Sequence, residues 1–186
     1  MLVIMLKVGI IGLGNIGVDA HLKAYDKIKA EGGPVEVVAV CDREEIRLAE
    51  VRAKGHDFRE YKSIDEMLEA EKGKLDYVDI CLPTYLHSPV AIKAMEMGYN
   101  VLSEKPIGVY TKKVREFMEV AKNSGKEFGI MYNQRTDHFY QKMREMVQGG
   151  ELGELKRCIW IITNWYRTQA YYDSGSWRAT WSGEGG

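Results

Sequence analysis

Cysteine is scarce in this chain. There are three, Cys41, Cys81 and Cys158, each inside an apolar, strand-like run. The odd number and wide spacing exclude a disulfide framework and a zinc motif. Buried free thiols suit a reducing compartment and predict a cytoplasmic protein. The four histidines, His21, His56, His87 and His138, are scattered without ligand spacing, so no metal is expected. Charge of one sign is also missing: 26 basic against 27 acidic residues leave a net charge of −1. That removes the electrostatic case for a nucleic acid or an anionic membrane as partner. No apolar run approaches the roughly 20 residues of a membrane span. Met1 to Leu6 has no basic region before it and runs straight into a strand, so no signal peptide is expected. Neither internal repeats nor low-complexity segments are present.

What remains is an ordinary globular composition, 186 residues with 45% hydrophobic content, enough for one core and part of another. Its most informative stretch is Lys7 to Gly17, an apolar run feeding into Gly12-Leu13-Gly14-Asn15-Ile16-Gly17. In a strand–turn–helix that holds a dinucleotide, Gly12 allows the tight turn, Gly14 admits the pyrophosphate, and Gly17 lets helix approach strand. Free N–H groups at the helix start, at Asn15 and Ile16, face the phosphate oxygens. A helical pattern follows through Ile16, Ala20, Ala24 and Ile28. The next apolar run, Val35 to Cys41, ends in Asp42, which can accept both adenosine ribose hydroxyls and repel a 2′-phosphate. NAD is therefore expected ahead of NADP. Arg43 can stack on adenine or pair with a phosphate, and Asp42 can also cap a helix beginning near Glu44.

Strand-like and helix-like segments then alternate, which predicts an α/β fold with a doubly wound parallel (Rossmann) sheet. Phe58 to Tyr61 reads as a strand, followed by a helix carrying Ile64, Met67 and Leu68. Tyr77 to Leu82 is a strand stopped by Pro83, and Ala91, Ala94, Met95 and Gly98 form a core-facing helical stripe. Asn100 to Ser103 is the fifth strand, Val114, Phe117, Met118 and Ala121 another stripe, and Glu127 to Tyr132 the sixth strand. The dinucleotide domain is expected over residues 1–133. Residues 134–186 are expected to be an incomplete, N-terminal part of an α+β substrate and oligomerisation domain. They offer a helix bearing Phe139, Met143, Met146 and Val147, ended by Gly149-Gly150, and a long aromatic strand from about Leu155 to Tyr166. One helix and one strand give too little surface for a domain of their own.

At the carboxyl edge of such a sheet stand two further segments, Cys81-Leu82-Pro83-Thr84-Tyr85-Leu86-His87 and Ser103-Glu104-Lys105-Pro106. Pro106 biases Lys105 away from helix and presents it at a defined place. By position alone, Lys105 reads equally as a surface lysine.

Together these pieces resemble the Gfo/Idh/MocA oxidoreductase family. The resemblance rests on the glycine loop, Asp42, Pro83-Thr84 with His87, and Glu104-Lys105-Pro106. It extends to Tyr132-Asn133-Gln134-Arg135, Gly150-Glu151-Leu152-Gly153 and Trp177-Arg178 before a glycine cluster. It implies that Lys105 is the active-site lysine, contacting the reacting substrate oxygen. Glu104 and His87 would lie near the cofactor, with Leu82, Pro83 and Thr84 lining the adenosine–pyrophosphate channel. Asn133 would sit at the cofactor–substrate junction, and Trp177 and Arg178 would reach back from the second domain. Without the resemblance, Trp177 reads as core packing and Arg178 as a solvated charge.

The implied activity is hydride transfer between NAD and a secondary hydroxyl of a sugar, cyclitol or related polyol, by a cytoplasmic homo-oligomer in the full-length form. Family members continue past the glycine cluster into a helix bearing an Asp and, four residues on, a His. This sequence stops at Gly186, so a partial and inactive chain is expected. An NAD-dependent glycosidase or lyase, and a non-catalytic NAD-binding module, are the alternatives.

Overall fold

The computed structural model of the chain describes residues 4–185. Its strands are β1 (Leu6–Ile11), β2 (Val35–Cys41), β3 (Arg59–Tyr61), β4 (Tyr77–Ile80), β5 (Asn100–Ser103) and β6 (Phe128–Ile130). They form one sheet in the order β3-β2-β1-β4-β5-β6, with every pairing parallel. This is the expected doubly wound arrangement. Chain order reverses between β1 and β4, and the crevice beyond their carboxyl ends is where such sheets hold ligands.

Alternation along the strands builds two cores, one on each face of the sheet. Val8 and Ile10 of β1 join Val37 and Val40 of β2 and the helix residues Leu22, Tyr25, Leu48 and Val51. Ile11 joins Val78 and Ile80 of β4, with Met67, Leu68, Ala91, Ala94, Met95 and Phe117 from the helices opposite. The helices are a π-helical turn, Gly17–Leu22, continuing as α1 (Lys23–Ala30), then α2 (Glu45–Ala53), α3 (Ile64–Ala70), α4 (Thr84–Glu96) and α5 (Thr111–Asn123). After β6 come a 3₁₀ turn (Asn133–Thr136), α6 (His138–Gln148) and α7 (Gln169–Asp173).

Several details differ from the sequence reading. Ile16, Ala20, Ala24 and Ile28 face solvent, while Gly17, His21, Leu22 and Tyr25 turn inward. The π-helical turn rotates the inward face, and the polar groups there find partners in the sheet. Gly98 lies outside the α4 stripe, exposed with φ +96° just past the helix end, the left-handed position that favours glycine. Met118 of α5 is likewise exposed. No strand forms between Leu155 and Tyr166: this stretch joins neither edge of the sheet, so its backbone has no ladder partner among the described residues. Cys158 lies in that stretch and is exposed, unlike buried Cys41 and Cys81.

Candidate functional site

The glycine loop is gripped from the turn that follows β2. Leu13 donates its backbone N–H to Asp42 Oδ2 at 2.8 Å, and Arg47 Nη1 donates to the Leu13 carbonyl at 3.1 Å. The second carboxylate oxygen of Asp42 accepts the Glu44 N–H at 2.9 Å. Asp42 is therefore a brace for the loop and the turn. The α2 N-cap is Glu44, whose side chain makes no capping bond, which corrects the capping role considered for Asp42. Each carboxylate oxygen retains a lone pair for a further donor, as a ribose hydroxyl would require. Arg43 is exposed and pairs with Glu44 at 3.1 Å, beside this edge.

The three glycines differ in what surrounds them. A Cβ on Gly12 would lie 2.7 Å from the Cys81 carbonyl oxygen, and φ there is +101°. One on Gly17 would collide with the Gly12 carbonyl oxygen. One on Gly14 would meet nothing within 4 Å. Gly12 and Gly17 thus serve internal packing, whereas Gly14 opens onto free space where a ligand backbone can come close. Helical residues begin at Asn15, so the first-turn N–H groups of Asn15 and Ile16 point from the helix start without intrahelical acceptors. This combination of an open glycine, first-turn donors and a ribose-sized acceptor at Asp42 fits a dinucleotide.

Across the switch point, Leu82, Pro83 and Thr84 lead from β4 into α4, with Leu82 packed beside Gly12 and Thr84 buried. His87 is 1% exposed, its ring nitrogens lying 2.6 Å from the Pro106 and 2.6 Å from the Leu82 carbonyl oxygens. It ties the two loops together rather than presenting a free nitrogen to the cleft. Ser88 adds a second tie to the carbonyl of Ile107. Lys105 follows β5, exposed, with a cis peptide bond to Pro106. Its ammonium has no hydrogen-bond or ion-pair partner among the described residues, and its backbone N–H donates to Glu104 Oε2 at 3.1 Å.

Behind these loops lies a buried polar network that sequence reasoning missed. His21 Nδ1 is 2.7 Å from Asp79 Oδ2, and its Nε2 is 2.9 Å from Glu104 Oε1. Tyr25 donates to the same Asp79 oxygen at 2.8 Å, Tyr77 donates to Tyr25 at 3.2 Å, and Cys81 Sγ donates to Asp79 Oδ1 at 3.8 Å. Burial opposes a charge on His21, but its hydrogen bonds to Asp79, Cys81 and Glu104 outweigh this and push its pKa up to about 12. Burial pushes the Cys81 thiol up to about 12. For Glu104, burial is outweighed by the contacts with His21 and Lys105, which hold its pKa below the usual carboxylate value. The available signal was a charged residue, Asp79, inside the apolar run Tyr77 to Leu82; such residues are rarely fully buried without partners.

Asn133 opens the 3₁₀ turn after β6 and is exposed. Trp177 and Arg178 are half-buried and held locally. Arg178 Nη1 donates to Tyr171 Oη at 2.7 Å, and the guanidinium carbon lies 4.6 Å from the Trp177 ring centre. This segment leans on the chain just beyond Lys105, where Tyr110 Oη donates to the Trp181 carbonyl at 3.3 Å. Gly12 to Ile16, Asp42 and Arg43, Leu82 to Thr84, and Glu104 with Lys105 therefore share one sheet edge. The described contacts of Arg178 are to neighbours in its own segment.

Residues 6–132 match the model of an oxidoreductase family, GFO_IDH_MocA, described by its NAD-binding Rossmann fold. The chain belongs to this family. It is 31% identical over 153 residues to a D-glucoside 3-dehydrogenase of Escherichia coli (strain K12), covering 81% of this chain and 41% of that protein. An inositol 2-dehydrogenase of Corynebacterium glutamicum (strain R) is 27% identical over 151 residues, covering 81% and 43%. Among solved structures, the WlbA dehydrogenase of Bordetella pertussis, in complex with NADH and UDP-GlcNAcA, superposes with a TM-score of 0.82. At 23% identity, over 97% of this chain and 53% of that one, it shows the shared fold. The chain thus spans under half the length of these curated relatives. Among the described residues, no helix is long and apolar enough to cross a membrane.

Proposed function

We propose that the chain is the cofactor-binding part of a dehydrogenase that exchanges a hydride between NAD and a secondary hydroxyl of a sugar, cyclitol or related polyol. The observation that carries this reading is the placement of Gly14, Asp42 and Lys105 on one sheet edge, around the switch point. The glucoside and inositol dehydrogenases among the relatives supply the substrate class. Bound NAD would supply the hydride chemistry.

The chain's own residues would bind, orient and polarise. Gly12, Gly14, Asn15 and Ile16 take the pyrophosphate, with Leu82, Pro83 and Thr84 lining its channel. Asp42 takes the ribose hydroxyls and disfavours a 2′-phosphate, with Arg43 beside the adenine. Lys105, exposed and with its ammonium unpaired among the described residues, donates a hydrogen bond to the reacting oxygen and stabilises the developing alkoxide. His87 and Glu104 hold that loop in place. Asn133 stands at the cofactor–substrate junction, and Trp177 and Arg178 approach from the second segment. In this reading residues 1–133 are the dinucleotide domain, 134–186 belong to the substrate domain, and the protein works in the cytoplasm as a homo-oligomer.

The test, made in the full-length form, follows NADH formation on a panel of inositols and glucosides. Lys105→Met should depress kcat far more than NAD affinity, because the lost contact belongs to the reacting oxygen. Unchanged turnover in that variant would remove Lys105 from the chemistry.

A further inference from the structure

His21 lies four residues past the last glycine of the loop, inside the π-helical turn, and reaches two carboxylates on different elements. We propose that His21 is a positioning residue: a buried imidazolium that bridges Asp79 and Glu104 and thereby sets the direction in which Lys105 leaves β5. This rests on the reading that Lys105 acts at the reaction centre.

The donor count favours the cation. Ionised carboxylates only accept, so with Asp79 and Glu104 ionised the two ring nitrogens facing them must both donate, and only the cation carries two N–H groups. The surroundings agree. Asp79 is wholly buried and the Glu104 side chain is 16% exposed. A neutral ring would leave two carboxylates in a nearly dry site with one of them lacking its donor. The other groups facing the network are Tyr25 on α1, Tyr77 and Cys81 on and just after β4, and Lys105 beyond Glu104. Tyr25 and Cys81 both donate to Asp79, and Cys81 also bears on the His21 ring and favours its charged form.

The grip on Glu104 is two-sided. Its Oε1 meets His21, and its Oε2 accepts the Lys105 N–H. Glu104 is thus held to the first helix by one oxygen and holds the Lys105 backbone with the other. His21, Asp79 and Cys81 also lie close enough together to be considered as a cation site. The geometry argues for a proton instead. Ligands on a tetrahedral ion with bonds near 2.0 Å stand roughly 3.3 Å apart, whereas His21 Nδ1 and Asp79 Oδ2 are 2.7 Å apart.

The experiment is NMR on the chain labelled with ¹⁵N, reading the His21 ring and the Lys105 amide without cofactor or substrate. Both His21 ring nitrogens should stay protonated from pH 6 to about 9, past the ordinary histidine midpoint of about 6.5. A neutral ring at pH 7.5, or a ring whose proton is displaced by stoichiometric zinc, would overturn the proposal. In Asp79→Asn and Glu104→Gln the ring should titrate at lower pH than in the parent; an unmoved midpoint in both would count against the bridge. In His21→Gln, exchange of the Lys105 amide should rise by about tenfold or more, the loss expected for a charged hydrogen-bond chain, while β1 amides stay protected. An equally protected Lys105 amide in that folded variant would refute the positioning role. Should His21→Gln fail to fold, the ring titration of the parent still decides the protonation. None of these readings uses turnover, so they can fail while the dehydrogenase reading stands, and the reverse.

Discussion

Asp42 and Leu13 are 29 residues apart in sequence and 2.8 Å apart across a carboxylate–amide hydrogen bond. The bond couples the end of β2 to the glycine loop, so the proposed ribose acceptor and the proposed pyrophosphate cradle move as one unit. Asp42→Ala should weaken NAD by roughly 10- to 150-fold, the loss of a charged hydrogen bond, and narrow the gap to NADP. Calorimetric titration of both cofactors measures it. Tighter binding of NADP than NAD by the unsubstituted chain would contradict the assignment.

Gly14 and Gly17 should respond differently to the same substitution. Gly17→Ala forces a methyl against the Gly12 carbonyl oxygen, and backbone cannot yield as a side-chain tip can. A loss of about 1–3 kcal/mol in stability is expected, as for other overpacked sites. Gly14→Ala meets nothing within 4 Å and should leave the melting temperature nearly unchanged while reducing NAD affinity. Thermal denaturation beside cofactor titration separates the two effects. Equal melting points for both variants would show that the loop relaxes around Gly17.

Much of this was legible in the sequence, because strand periodicity and glycine spacing are local signals. β2 and β5 run where the apolar runs predict, and the β1–loop–helix unit follows from the glycine spacing. Side-chain direction was less legible. Ile16, Ala20, Ala24 and Ile28 look like a core stripe, but the π-helical turn directs His21 and Tyr25 inward instead. Glu71, in the charged run from Glu69 to Lys74, is wholly buried and paired with Arg59 at 2.6 Å, while Tyr61 donates to it at 2.6 Å. Such pairings join residues distant in sequence, and no single-chain pattern announces them.

Those buried charges shape the stability profile at both ends of the pH scale. His21 has its folded pKa raised up to about 12 from an unfolded value near 6.5, so its contribution is full below about pH 6.5 and falls as pH rises. Cys41, Cys81 and Tyr99, each raised to about 12 chiefly by burial, add to the alkaline loss above about pH 9. Glu71 runs the other way. The Arg59 hydrogen bond holds its pKa low, so its contribution is present above about pH 4.5 and is lost as pH falls. Urea denaturation from pH 4 to 10 should therefore show declining stability from pH 7 upward. His21→Gln should flatten the curve between pH 7 and 8.5, below the range where cysteine and tyrosine contribute. An unchanged slope in that interval would place the alkaline limb elsewhere.

Residues 151–168 should be the first part of the chain to yield to a protease. No residue of α6 is buried, and beyond it Ile159, Trp160, Ile161, Ile162, Trp165 and Tyr166 are between 57% and 85% exposed. No strand pairs with this backbone among the described residues, so resistance to its local opening is left to side-chain contacts such as the stacking of Trp160 on Tyr140 of α6. Chymotrypsin, which needs an aromatic residue in an accessible backbone, has three sites there, at Trp160, Trp165 and Tyr166. The sheet and both cores lie upstream, and Asp42, Gly14 and Lys105 sit on that sheet's edge. Cleavage should therefore leave a core fragment that keeps the glycine loop, Asp42 and Lys105 and still binds NADH within about tenfold of the intact chain, the loss of Trp177 and Arg178 accounting for a difference of about 1.4 kcal/mol or less. Mass spectrometry of the digest and fluorescence titration of the fragment test both halves. Protection of Trp160 to Tyr166 in dilute solution would mean that the aromatic segment is covered there, and loss of NADH binding after cleavage would mean that residues beyond the sheet complete the site.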